Sequence, residues 1–214
     1  MTKKIIPFLI NHSHRCAQVS LKCILSKKFQ DRNFTLQELE YLTSHHSNEV
    51  TYPIQIAHAL AVLDIDFKYY VKPNWITLLS SQSIFEKSLK DFYGNYAENI
   101  LLATNQNALF TSASFLQGDK RVIESPIKPS IQSLEKNLEE GNIPICLINY
   151  DIYTNRPNKF KGHYLIITGY DSTNLFCHDS GPKGAAPDKP ISKEAFQKAW
   201  NLCFFDHDLL TVKV

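Results

Sequence analysis

The stretch GHYLIITGYDSTNLFCHD, residues 162–179, decides how this chain folds. HYLIITGY (163–170) and NLFCHD (174–179) are rich in β-branched and aromatic residues, and the short polar break DST joins them. Two such runs about so short a turn read as an antiparallel hairpin. Outward from it, IPICLINY (143–150) before and LLTVKV (209–214) after read as further strands. One helix, SKEAFQKAW, intervenes with Ser192 as its cap, and SIQSLEKNLEEG precedes the strands, with Ser130 as N-cap and Gly141 just past its end.

The first half has a helical period instead. From Ala17 to Phe29 the residues Val19, Leu21, Ile24 and Leu25 recur at helical spacing, which sets Cys16 at the amino end of a helix. TLQELEYLT opens with Thr35-x-x-Glu38, a capping box that satisfies two otherwise unpaired amides. In TYPIQIAHALAVLDI, Pro53 stands where a first helical turn accepts proline. Residues from about 83 to 117 read as two further helices. Helices first and an antiparallel sheet afterwards argue for an α+β fold, with a helical part over about 1–140 and a sheet part over about 141–214. No internal repeat or Gly/Ser linker interrupts the 214 residues, so a single domain, 1–214, is expected.

Composition narrows the chemistry. A net charge of +2 with scattered Lys and Arg gives no basic face for nucleic acid. No window approaches the ~18 apolar residues of a membrane span. The basic start MTKKIIPFLI has too short an apolar run for a secretory signal. The five cysteines (16, 23, 146, 177 and 203) form no CxxC pair, which suits free thiols in a reducing compartment. The expected location is cytoplasmic, or outside the cell by a route without a cleavable signal, such as an injected effector.

The segment NHSHRCAQVSLKC (11–23) holds two histidines, an arginine and two cysteines. His12, His14 and Cys16 alternate, and Cys23, Cys177 and His178 could join them around zinc, yet the spacing of structural zinc sites is missing. No metal and no cofactor is therefore expected. Cys16 has a different use. A thiolate at a helix amino end is stabilised by free amides and the helix dipole, and Arg15 adds positive potential. Such a nucleophile needs a histidine base, distant in sequence but near in space. His163, at the mouth of an apolar strand after Gly162, is the candidate. If the hairpin turns near residue 171, facing positions sum to about 342, and 163 + 179 = 342 puts Asp179 opposite His163 to orient its ring.

The separation of Cys16 and His163 (163 − 16 = 147) falls in the roughly 130–150 range of papain-type enzymes. HRCAQVSLKCIL, FTLQELEYLT, TYPIQIAHAL, GNIPICLINY, GHYLIITGYD, LFCHDSGP and ISKEAFQKAW together resemble the papain-like cysteine peptidases of the bacteriocin-processing (double-glycine leader) group. The resemblance spans most of the chain. It implies a papain-like fold in which N-terminal helices carry the nucleophile onto a C-terminal antiparallel sheet. It also implies a hydrolase acting on peptide or amide bonds, with Cys16 as nucleophile, His163 as base and Asp179 as orienting acid. The implied partner is a peptide or protein substrate. Members commonly have Cys-Gly where this chain has Cys16-Ala17, and a Gln five or six residues earlier where it has Ile10 and Asn11. Asn11 is the oxyanion candidate, with His12 or His14 as alternatives. The same residues would also suit an acyltransferase, transglutaminase or deamidase, or an inert peptide-binding module.

Overall fold

The computed structural model describes residues 2–13, 15–156, 161–182, 184–201 and 209–214. Helices form where the capping chemistry places them. Helix α1 (Cys16–Lys28) starts on the cysteine itself and buries most of its surface. Helix α2 (Leu36–Leu42) has its full box: the Thr35 hydroxyl accepts from the Glu38 amide at 3.1 Å, and the Glu38 carboxylate accepts from the Thr35 amide at 2.7 Å. Helix α3 (Pro53–Val62) starts on Pro53.

The next stretch departs from the two helices expected over 83–117. After α4 (Trp75–Ser80) come α5 (Gln82–Tyr93), a 3₁₀ turn at Gly94–Tyr96, α6 (Ala97–Leu102) and α7 (Gln106–Leu116). The break after α5 falls at Gly94, whose φ of 55° suits a residue without a Cβ. The Asn105 side chain then caps α7 by accepting from the Ala108 amide at 3.0 Å. Helix α8 (Ile131–Glu139) runs between the expected Ser130 cap and Gly141, and α10 (Lys193–Trp200) has Ser192 as its cap.

Strands β4 (Asn142–Asn149), β5 (Gly162–Tyr170), β6 (Asn174–Asp179) and β8 (Leu209–Lys213) occupy the expected runs. Four more join them: β1 (Thr2–Lys3), β2 (Phe67–Val71), β3 (Val122–Glu124) and β7 (Ala186–Ser192). The order is β3-β2-β8-β4-β5-β6-β7, with β1 on β5, and every pairing except β2–β3 is antiparallel. Strand β8 lies between β2 and β4, so the end of the chain stitches a strand of the helical half into the sheet.

All eight residues of β4 are buried because both sheet faces are covered. On one face Ile145, Leu147, Tyr164, Ile166 and Val212 pack with the apolar sides of α1, α3, α5 and α7. On the other, Cys146, Ile148, Leu165, Ile167 and Leu209 meet Leu134 and Leu138 of α8 and Phe196 and Trp200 of α10. The period-two alternation of β5 thus feeds two cores, each side chain contributing roughly 1.5–3 kcal/mol of burial. Fixed on both faces, β5 holds His163 at its second position.

Candidate active site

The amino end of α1 is open. Arg15 precedes the helix without capping it by its side chain, and its guanidinium instead pairs with Glu40 at 2.6 Å. The first-turn amides therefore surround the partly buried Cys16 with positive potential. Burial pushes this thiol up, but a hydrogen bond from His163, its charge, and the amides of Tyr164 and Ala17 outweigh burial and hold it below the ordinary thiol range. Burial prevails at the others: Cys23 is pushed up to about 11, Cys177 to about 12, and Cys146 also rises. Among the four described cysteines Cys16 alone is lowered. Cys203 lies outside the described residues.

His163 is buried, and its Nε2 donates to Asp179 Oδ1 at 2.9 Å, which leaves Nδ1 for the Cys16 thiol. Burial alone would lower the imidazole, yet Asp179 and Cys16 together raise it to about 9. Tyr150 packs edge-on against the ring, with centroids 5.0 Å apart. It belongs to the short helix α9 (Tyr150–Tyr153), which follows β4 directly.

Asp179 is fully buried and accepts four hydrogen bonds. Oδ1 takes His163 and the Gly181 amide at 3.2 Å; Oδ2 takes the Tyr153 hydroxyl at 3.1 Å and Lys189 Nζ at 3.0 Å. Burial works against its charge, but these donors, His163 first and Lys189 next, bring it down to about 2. Three of the four donors, Gly181, Tyr153 and Lys189, escape a reading of the sequence.

The expected pairing of His163 with Asp179 exists, but in another register. In the hairpin Ile166 faces His178 and Ile167 faces Cys177, a sum of 344 rather than 342, and a bulge shifts it again by Gly169. The physical reason is the turn: Asp171 gathers the amides of Thr173 and Asn174 on its carboxylate and its own amide bonds to the Asn174 carbonyl, which centres the turn beyond Ser172 rather than near 171. Continued to the strand end, this register sets Asp179 beside Leu165, so it reaches His163 along the diagonal of one face.

Asn11 is buried. Its amide donates to the Ser180 carbonyl at 2.8 Å, which ties it to the residue after Asp179. Its Oδ1 accepts from the Ser13 amide at 3.0 Å, so the Nδ2 donors form the end that can turn to an oxyanion. His12 is exposed, and His14 lies outside the described residues.

Two residues beyond Cys16, the fully buried Gln18 donates through Nε2 to Thr43 Oγ1 at 2.9 Å and Thr51 Oγ1 at 3.0 Å. Thr51 also bonds His45 Nδ1 at 3.0 Å, and its carbonyl accepts from the Tyr164 hydroxyl at 2.9 Å. Thr51 thereby links the first turn of α1 to the residue after His163. His45 is buried with this contact, while His46 is exposed. His58 sits at a boundary, bonded to Ser112 Oγ at 3.1 Å.

Among the described residues no three His, Cys, Asp or Glu side chains gather as a metal shell, and no helix is long and apolar enough to cross a membrane. Compared with known proteins, residues 14–204 match a model of the Peptidase C39 like family. No curated protein matches the chain. Among solved structures, the peptidase domain of Streptococcus ComA, a bi-functional ABC transporter involved in a quorum sensing pathway, is similar over 100% of both chains at 13% identity and a TM-score of 0.52. A candidate C39-like peptidase from Bacillus anthracis is similar over 97% of this chain and 94% of its own at 12% identity and a TM-score of 0.49.

Proposed function

The chain belongs to the Peptidase C39 like family, and from that premise we propose that it hydrolyses peptide or amide bonds through Cys16, His163 and Asp179. The observation that carries the reading is one imidazole held at 2.9 Å through Nε2 by a fully buried carboxylate, which leaves its other nitrogen to serve the thiol that it lowers at a helix amino end. The thiol proton passes to His163 Nδ1, and the thiolate sulfur attacks the substrate carbonyl carbon. The carbonyl electron pair moves onto oxygen, where the first-turn amides of α1 and the Asn11 side chain are the proposed donors. Collapse of this intermediate expels the amine, which takes the proton back from His163 and leaves a thioester on Cys16. Water, deprotonated by the same nitrogen, releases the acid and restores the thiol. Asp179 fixes the ring orientation and stabilises the imidazolium. In this reading residues 1–214 work as one domain.

A peptide pool incubated with the protein and followed by mass spectrometry tests the proposal. Wild type cleaves amide bonds with uptake of water, and Cys16→Ala, with an unchanged circular dichroism spectrum, does not. Cleavage that survives in the variant defeats the reading. An added amine acceptor, read as a mass adduct on the acyl fragment, separates transfer from hydrolysis.

A further inference from the structure

Resting on that assignment of Cys16, His163 and Asp179, we propose that Lys189 is a positioning residue of the same site, clamping Asp179 and extending it into four alternating charges. The order is thiolate, imidazolium, carboxylate, ammonium. Three members alone would carry a net charge of −1 in the resting ion pair; the fourth, reaching the fully buried Asp179 from a partly exposed side chain, brings the sum to zero.

The geometry assigns Lys189 to this task. Strand β7 runs antiparallel to β6 with Lys189 opposite Cys177, and the Cys177 thiol donates to the Lys189 carbonyl at 3.4 Å. From there Nζ reaches Asp179 Oδ2 at 3.0 Å, the oxygen that His163 does not use. Tyr153 steers it twice: its hydroxyl shares Oδ2, and its ring face lies 4.9 Å from the ammonium. Each oxygen of the acid thus has its own pair of donors, so the carboxylate cannot rotate away from the histidine.

The consequence is chemical. A carboxylate facing His163 alone would direct its full charge at the imidazolium and hold the proton too firmly for easy transfer to a leaving amine. Lys189 takes part of that charge while keeping the acid ionised and in place. The titratable groups around the acid and base are Cys16 from α1, Tyr150 and Tyr153 from α9, Cys177 from β6 and Lys189 from β7. Burial keeps Cys177 a thiol, and burial with the neighbouring Cys177 and Asp179 keeps Tyr153 a phenol. The charges that act on His163 are then Cys16 and Asp179 directly, and Lys189 through its pairing with Asp179.

Alkylation of Cys16 by iodoacetamide, followed by peptide mapping across pH, tests this without a substrate. Wild type gives two steps in rate: one when the ion pair forms, and a second when His163 loses its proton. Lys189→Met moves the second step up by about one pH unit, because a cation has been removed from beside its counter-ion. Asp179→Asn moves it down, and Lys189→Arg returns the wild-type profile. A second step unmoved in Lys189→Met, or moved equally in Lys189→Arg, overturns the clamp while leaving the nucleophile assignment intact. A wild-type profile with a single ordinary thiol step overturns both. If Lys189→Met fails to fold by circular dichroism, Lys189→Gln is read against the same outcomes.

Discussion

At the residue scale the site is a set of charges that burial opposes and partners sustain. Asp179 shows the balance most plainly, with its carboxyl held down to about 2 although it is fully buried. A carboxyl lowered on folding contributes stability that is present above its ordinary value and is lost as pH falls through about 2. Asp179→Asn should therefore flatten the loss of stability below about pH 4, measured as urea midpoints at several acidic pH values; an equally steep loss contradicts the assignment. His163 carries the opposite sign. Its raised affinity for a proton is fully expressed below about pH 6.5 and fades as pH rises through about 9, so the rate of amide cleavage should decline on the alkaline side near that value. That Cys16, His163 and Asp179 lie together was readable in the sequence, because a cysteine at a helix amino end and a histidine at a strand mouth are local signals. The reading reached Asp179 by a register two residues out, and the diagonal geometry of one sheet face still joined the pair. Lys189 and Tyr153 were hidden. The first lies in APDKPIS, whose two prolines weaken any strand signal, and the second on a one-turn helix after β4.

At the element scale the relation between α1 and β5 sets the distance from nucleophile to base. Gln18 and Tyr164 meet on Thr51, one through its hydroxyl and one through its carbonyl. Gln18→Leu leaves the Thr43 and Thr51 hydroxyls without their buried donor and should destabilise the fold by about 1–3 kcal/mol, read as a lower urea midpoint. It should also lower amide cleavage more than a change on the exposed side of α1 of equal cost. If stability and cleavage both match wild type, the bridge does not set the geometry. Sequence analysis found α1, α2, α3, α8 and α10 through their caps and apolar spacing. It missed β2 although Phe67, Tyr69 and Val71 alternate inward with Lys68 outward, because five residues in a helical neighbourhood give a weak period-two signal. The extra breaks between α5 and α7 came at Gly94 and Asn105, whose local backbone preferences cut further a stretch that read as two helices.

At the scale of the whole molecule the α+β fold follows from the two halves of the sequence, but their union does not. Strand β8 pairs with β2 on one side and β4 on the other, a long-range contact that no local pattern announces. Leu210, buried in β8 and part of the core on the side of the N-terminal helices, is the place to probe it. Leu210→Ala should cost about 2–5 kcal/mol and shift urea unfolding as one cooperative step. A separate, earlier loss of the sheet signal would show instead that the halves unfold independently.

The central claim is that Cys16 is a thiolate paired with His163 in the resting protein. The most direct measurement is the rate of Cys16 alkylation by iodoacetamide between pH 4 and 10, with His163→Ala beside wild type. The account predicts strong reactivity in wild type well below the ordinary thiol value of about 8.5, and a return to that value in His163→Ala. Wild-type reactivity that rises only near the ordinary value, unchanged by the loss of His163, would contradict it.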